Sequence, residues 1–209
     1  MREIKYIILH HSGTPATNWE KDPTGQQIYE AIKRNHHARA VAKKWGDNYV
    51  CDYHFLIGPT GKVFEGQPVE MVSYHCGYYR MNLKSIGICL LGDFEKVIPT
   101  KIQVDSLTIL ILELMKKYGI LIESIQQHKQ IVQTDCAGKY FPFNRIIKEV
   151  KDEMGLKEPT EADKAFDLMI RLGVYQPYGD LDIYKAKLID YKTLAVLLAR
   201  VIEHIQGGA

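Results

Sequence analysis

KYIILHHSGT, residues 5–14, is the stretch on which the fold turns. Its first half is an apolar, β-branched run, and its second half breaks into a polar loop behind two histidines. A run without polar alternation suits a strand buried in a sheet, and Ser12, Gly13 and Thr14 end it. His10 therefore stands at a strand end. Outward from it, residues 85–91 form a second near-continuous apolar strand. Residues 53–57 and 62–65 read as a hairpin, because Gly58, Pro59, Thr60 and Gly61 supply the turn between two strand-like runs.

Helical periodicity fills the gaps between these strands. From Thr24 to Lys44 the residues Ile28, Ala31, Ile32, Ala38, Val41 and Ala42 recur at helical spacing, which predicts one or two amphipathic helices. Ile102–Tyr118 carries Leu107, Leu110, Ile111, Leu114 and Met115 on one stripe, and Gly119 stands where a C-cap belongs. Asn144–Met154 is a further short helix. Strands alternating with long helices imply an α/β domain over residues 1–154, with a mixed central β-sheet flanked by helices. Residues 155–159 read as a hinge of Gly, Lys, Glu and Pro. A small all-helical C-terminal module follows over residues 160–209, with stripes through Phe166, Met169 and Ile170 and through Leu194, Leu198, Val201 and Ile202.

Composition excludes more than it identifies. A hydrophobic fraction of 46% and a charged fraction of 25% describe an ordinary globular chain. A net charge of +2 offers no concentrated basic surface, so nucleic acid is not expected as a partner. No apolar run approaches the roughly 18 residues that membrane insertion needs, and no signal peptide is visible at the N-terminus. Four cysteines, at 51, 76, 89 and 136, are too few and too scattered for a disulfide scaffold. Cys51, Cys76 and Cys89 are expected as free thiols, with a Cys51–Cys76 bridge the alternative.

Two segments stand out as chemical. Met71–Arg80 gathers Tyr74, His75, Cys76, Tyr78 and Tyr79 in a loop, and 124–143 carries His128, Thr134, Asp135, Cys136 and Lys139 without any sustained period. Catalytic zinc takes three protein ligands and keeps a fourth position open. His10, His128 and Cys136 can supply such a set, since the seven residues between the last two let one loop bring both to an ion. Spacing alone does not single them out: a loop histidine is commonly a surface hydrogen-bonding group, and a lone cysteine a small core hydrophobe.

What singles them out is a set of motifs in order. Ile8-Leu9-His10-His11-Ser12, Tyr53-His54-Phe55-Leu56-Ile57, Ser85-Ile86-Gly87-Ile88-Cys89, and His128 through Thr134 to Cys136-Ala137-Gly138-Lys139 together resemble the type 2 N-acetylmuramoyl-L-alanine amidases. That family includes peptidoglycan recognition proteins and the amidase-type lysozymes of bacteriophages, and the resemblance covers roughly residues 1–150. It implies zinc held by His10, His128 and Cys136. It implies catalytic roles for Tyr53, near the metal-bound water, and for Thr134, which could bond the developing oxyanion. The implied substrate is bacterial peptidoglycan, cut between N-acetylmuramic acid and the L-alanine of the stem peptide.

His75, Tyr74 and Asn82 are the candidate substrate contacts, and His11 is the alternative ligand if the register shifts by one. The usual Pro after the last ligand is Ala137 here, which removes no chemical group. A phage or prophage endolysin fits a leaderless amidase with a small C-terminal module of possible wall-binding function. Such a protein would sit in the host cytoplasm before lysis. The competing reading is a recognition module that binds peptidoglycan without cutting it.

Overall fold

The structure is a computed structural model describing residues 2–15, 24–46 and 48–156. The chain divides into two units, Met1–Leu156 and Lys157–Ala209, and the helical pattern over 160–209 lies outside the described residues. Apolar runs at the N-terminus and at 85–90 form the middle of a five-stranded sheet. β1 (Tyr6–His11) and β4 (Ser85–Leu90) pair in parallel, with Leu9 opposite Ile88 and His10 opposite Cys89. All six residues of β4 are buried, which is why its sequence shows no polar alternation. β2 (Phe55–Ile57) pairs parallel to β4 and antiparallel to β3 (Val63–Glu65), and β5 (Ile125–Gln127) pairs parallel to β1. The order is β3-β2-β4-β1-β5, a mixed sheet as expected.

The two-residue period of a strand sorts the side chains into two layers. Ile7, Leu9, Ile57, Ile86, Ile88 and Leu90 join Leu107, Ile111 and Leu114 of α3 (Lys101–Tyr118) and Ile146 and Val150 of α4 (Phe143–Glu153) in the larger core. Leu56 and Cys89 face the other way and pack with Tyr29 of α1 (Gln26–Ala42), Cys51, Phe64 and Leu91. His10 shares the parity of Ile8, so it projects from the face opposite Leu9. α3 begins at Thr100, whose hydroxyl accepts from Gln103 N–H, and ends at Gly119 with φ 66, the left-handed cap that glycine adopts without strain.

Three expectations change. α1 is a single helix, but its inward stripe is Tyr29 and Ala40 with Ile28 and Ile32 partly buried, while Ala38, Val41 and Ala42 are exposed. Tyr29 sets that orientation, because its ring stacks on Phe64 at 4.7 Å and its hydroxyl donates to the Glu65 carbonyl at 2.6 Å. β5 and a one-turn helix α2 (Tyr79–Asn82) occupy segments expected as loop. Cys51, Cys76 and Cys89 are free thiols, in line with the sequence reading and not with the alternative Cys51–Cys76 bridge, and Cys136 is free as well.

A partly buried cluster formed by α1 and Asp52 makes stability pH-dependent. His36 Nδ1 accepts from Asp52 N–H at 3.0 Å, and Arg39 ion-pairs with Asp52. Burial, reinforced by Arg39, pushes the His36 pKa down to about 4. The unfolded chain therefore takes up this proton near pH 6.5, before the folded chain does, so the contribution is complete above pH 6.5 and drains away toward pH 4. Urea unfolding at pH 7 and pH 4.5 should show a loss of about 2 kcal/mol from this residue. His36→Asn, whose side-chain oxygen can accept the same N–H, should remove that part of the loss; an unchanged pH slope would contradict the assignment.

Candidate metal centre

Pairing of β5 with β1 sets Leu9 opposite Gln127, so the next residues along each strand, His10 and His128, emerge side by side. Their ring centroids are 4.7 Å apart. The loop after His128 returns through the bond from Lys129 N–H to the Cys136 carbonyl at 2.8 Å, which brings Cys136 back to the strand ends. Cys136 Sγ lies 3.7 Å from His10 Nδ1 and accepts from His11 N–H at 3.4 Å. One ligand atom from each of His10, His128 and Cys136 falls within 4.8 Å of the others. Two imidazoles and a thiol converging on one point form a donor set that suits a transition-metal ion.

The unpaired atoms fit the same reading. His128 Nε2 is buried without a hydrogen-bond partner, a costly position for a polar atom unless a ligand meets it. Burial lowers the His128 pKa, opposed by a backbone hydrogen bond with Cys76. Burial first, then His128 and His11, hold the His10 pKa well below the usual histidine range. Neutral imidazoles are the ligating form. Cys136 is pushed up to about 11 by burial, against the opposing His11 backbone and Lys129, so its thiolate requires a compensating cation.

His11 is no reserve ligand. Strand parity turns it to the opposite face, where its Nδ1 accepts from Phe94 N–H at 3.1 Å. Tyr53 stands just before β2 with its ring 5.2 Å from His10. Burial, then the thiols of Cys89, Cys136 and Cys51, raise its pKa well above the usual tyrosine range, so it is a neutral phenol at physiological pH. Thr134 is partly exposed, and its Oγ1 accepts from Cys136 N–H at 3.4 Å, which leaves the hydroxyl proton free to be donated.

The other candidate residues separate into two groups. His75 and Asn82 are buried behind the ligands. His75 Nδ1 is 3.0 Å from His10 Nε2, and Asn82 Oδ1 accepts from Cys76 N–H at 3.1 Å and from the Cys76 thiol at 3.0 Å, fixing the segment whose backbone meets His128. Tyr74 lies in an aromatic row, stacked on Trp45 at 4.1 Å and facing Tyr79 at 6.1 Å. Two participants were not singled out from the sequence. Ser85 read as the first residue of an apolar strand and of one family motif, without a role of its own, although a polar group in a buried run is itself a signal; Trp45, one of two tryptophans, had no periodic context.

Residues 1–139 match the family model described as N-acetylmuramoyl-L-alanine amidase. Peptidoglycan-recognition protein LB of Drosophila melanogaster is 29% identical over 139 residues, covering 64% of this chain and 54% of that protein. A peptidoglycan recognition protein of Trichoplusia ni is 30% identical over 147 residues, covering 69% and 74%. The chain thus spans about half the length of one relative and about three quarters of the other. Among solved structures, the endolysin N-acetylmuramoyl-L-alanine amidase LysCS from Clostridium intestinale URNW superimposes with a TM-score of 0.55 at 28% identity, over 75% of this chain and 86% of that one. With the family model matching well over half of the residues, and the histidine and cysteine motifs meeting at one point of the sheet, the chain belongs to the N-acetylmuramoyl-L-alanine amidase family.

Proposed function

We propose that this protein is a zinc-dependent peptidoglycan amidase, hydrolysing the amide between N-acetylmuramic acid and the L-alanine of the stem peptide. The observation that carries the reading is the convergence of His10, His128 and Cys136 beside a neutral Tyr53. Zinc–nitrogen and zinc–sulfur bonds of about 2.0 and 2.3 Å in a tetrahedron put neighbouring N and S donors roughly 3.6 Å apart. The 3.7 Å between His10 Nδ1 and Cys136 Sγ agrees with that separation. Three protein donors leave a coordination position open, the pattern of a catalytic rather than a structural site.

Zinc there supplies Lewis acidity, which brings the pKa of water toward neutrality and polarises an amide carbonyl. The chain's own groups do the rest. Tyr53, kept protonated, orients the attacking water and donates a hydrogen bond. Thr134 donates its hydroxyl proton to the oxyanion that develops at the tetrahedral carbon, a contact stronger in the transition state than in the ground state. The row of Tyr74, Trp45 and Tyr79 offers rigid faces to sugar or peptide. Similarity to the Clostridium endolysin supports a role in wall lysis, with residues 160–209 as a wall-attachment module.

Tyr53→Phe tests the division of labour. It should lower kcat on the order of 10²-fold with zinc content unchanged, measured as alanine amine released from purified walls. Loss of zinc in parallel with activity would assign Tyr53 to the structure of the site instead.

A further inference from the structure

Three consecutive hydrogen bonds run from the backbone of α2 to His10. Ser85 Oγ lies 2.7 Å from the Met81 carbonyl and 3.0 Å from His75 Nε2, and His75 Nδ1 lies 3.0 Å from His10 Nε2. A carbonyl only accepts, so the single hydroxyl proton of Ser85 goes to Met81. Ser85 Oγ is left to accept, and His75 Nε2 must carry the proton it accepts. His75 is buried between two other imidazoles, with the rings of His10 and His54 5.1 and 5.9 Å from its own, so a second proton would put a buried charge among basic groups and the ring is neutral. A neutral ring with its proton on Nε2 presents a lone pair at Nδ1, and His10 donates into it from Nε2. The lone pair of His10 is then on Nδ1, the nitrogen that faces Cys136 Sγ.

We propose that this relay is a tautomer lock: the Met81 carbonyl, acting through Ser85 and His75, holds His10 in the Nε2–H form and presents its Nδ1 lone pair to the ligand pocket. His75 and Ser85 are positioning residues. The fold makes room for the relay at one position. A Cβ on Gly87 would lie 2.5 Å from His75 Cγ and 2.8 Å from its Nδ1, so the central strand admits the ring only where it has no side chain. Outer-shell partners of this kind fix the ring orientation and basicity of a metal-ligating histidine.

The purpose of the lock rests on the zinc reading, but the tautomer belongs to the metal-free protein, and the two are tested separately. Two-bond proton–nitrogen NMR of the full chain labelled with 15N-histidine, without metal, should show His10 and His75 both protonated on Nε2. Chelator competition then reads the zinc affinity of variants. His75→Leu should weaken zinc by about 10- to 100-fold. His75→Asn, whose Oδ1 stands where Nδ1 stood, should stay within about threefold of wild type, whereas a role in packing alone would penalise the smaller, polar Asn at least as much as Leu. An Nδ1–H form of His10, or an undiminished affinity in His75→Leu, overturns the lock. If these variants do not fold, the wild-type spectrum decides alone. Wild type that takes up no zinc would sink the zinc reading and leave the tautomer to the spectrum.

Discussion

Cys136→Ser is expected to remove bound metal and amide hydrolysis together while the fold survives. Cys136 is only partly buried, at the edge of the larger core, and its sulfur is met by the His11 N–H and by His10 Nδ1. Serine is close in shape, so packing changes little. Its hydroxyl is a hard, shorter donor that does not ionise near neutral pH, whereas the thiol can give up its proton to a metal. Without the third donor the site loses the ion, and with it the activation of water and carbonyl, a loss of at least about 10³-fold in rate. Metal analysis, thermal unfolding and amine release on the same preparation check this. A serine variant with full metal and full activity would remove Cys136 from the ligand set.

Gly138→Ala is expected to damage the same loop from its other end. Gly138 has φ 103, and a Cβ there would lie 2.5 Å from the Phe94 carbonyl carbon and 2.6 Å from its oxygen. Both are backbone atoms, and the Phe94 carbonyl already accepts from Tyr140 N–H at 2.9 Å, so neither side yields without breaking a bond. The positive φ and the backbone clash together should cost on the order of 3–5 kcal/mol. Because Cys136 lies two residues away, zinc affinity should fall as well. Denaturant unfolding with and without zinc measures both. A variant as stable as wild type would mean that this loop does not depend on its close seat against Phe94.

The sheet and its main helices were legible because their signals are long and locally consistent. β4 is an unbroken buried run, and α3 combines an apolar stripe with Thr100 and Gly119 at its ends. β5 was not legible: three residues, two of them glutamine, become a strand only because β1 offers an edge to pair with. That pairing also explains why the ligand set came from family resemblance and not from spacing. His10 and Cys136 are 126 positions apart, and nothing local says that a parallel edge strand brings them together. Strand parity, by contrast, does separate His10 from His11 once the register is known. The polar groups of the 71–82 loop read as candidate ligand contacts because polarity was visible and burial was not. In the structure both His75 and Asn82 are buried, with His75 hydrogen-bonded to His10 and Asn82 to the Cys76 N–H.

On the proposed reading, His10, His128 and Cys136 make this protein an amidase and not a binder. Purified bacterial cell walls incubated with the zinc-loaded full chain should gain N-terminal L-alanine, and no new reducing sugar, in amounts that rise with time and vanish when zinc is chelated. Walls that bind the zinc-loaded protein but expose no alanine would contradict the account and make the chain a peptidoglycan-recognition module.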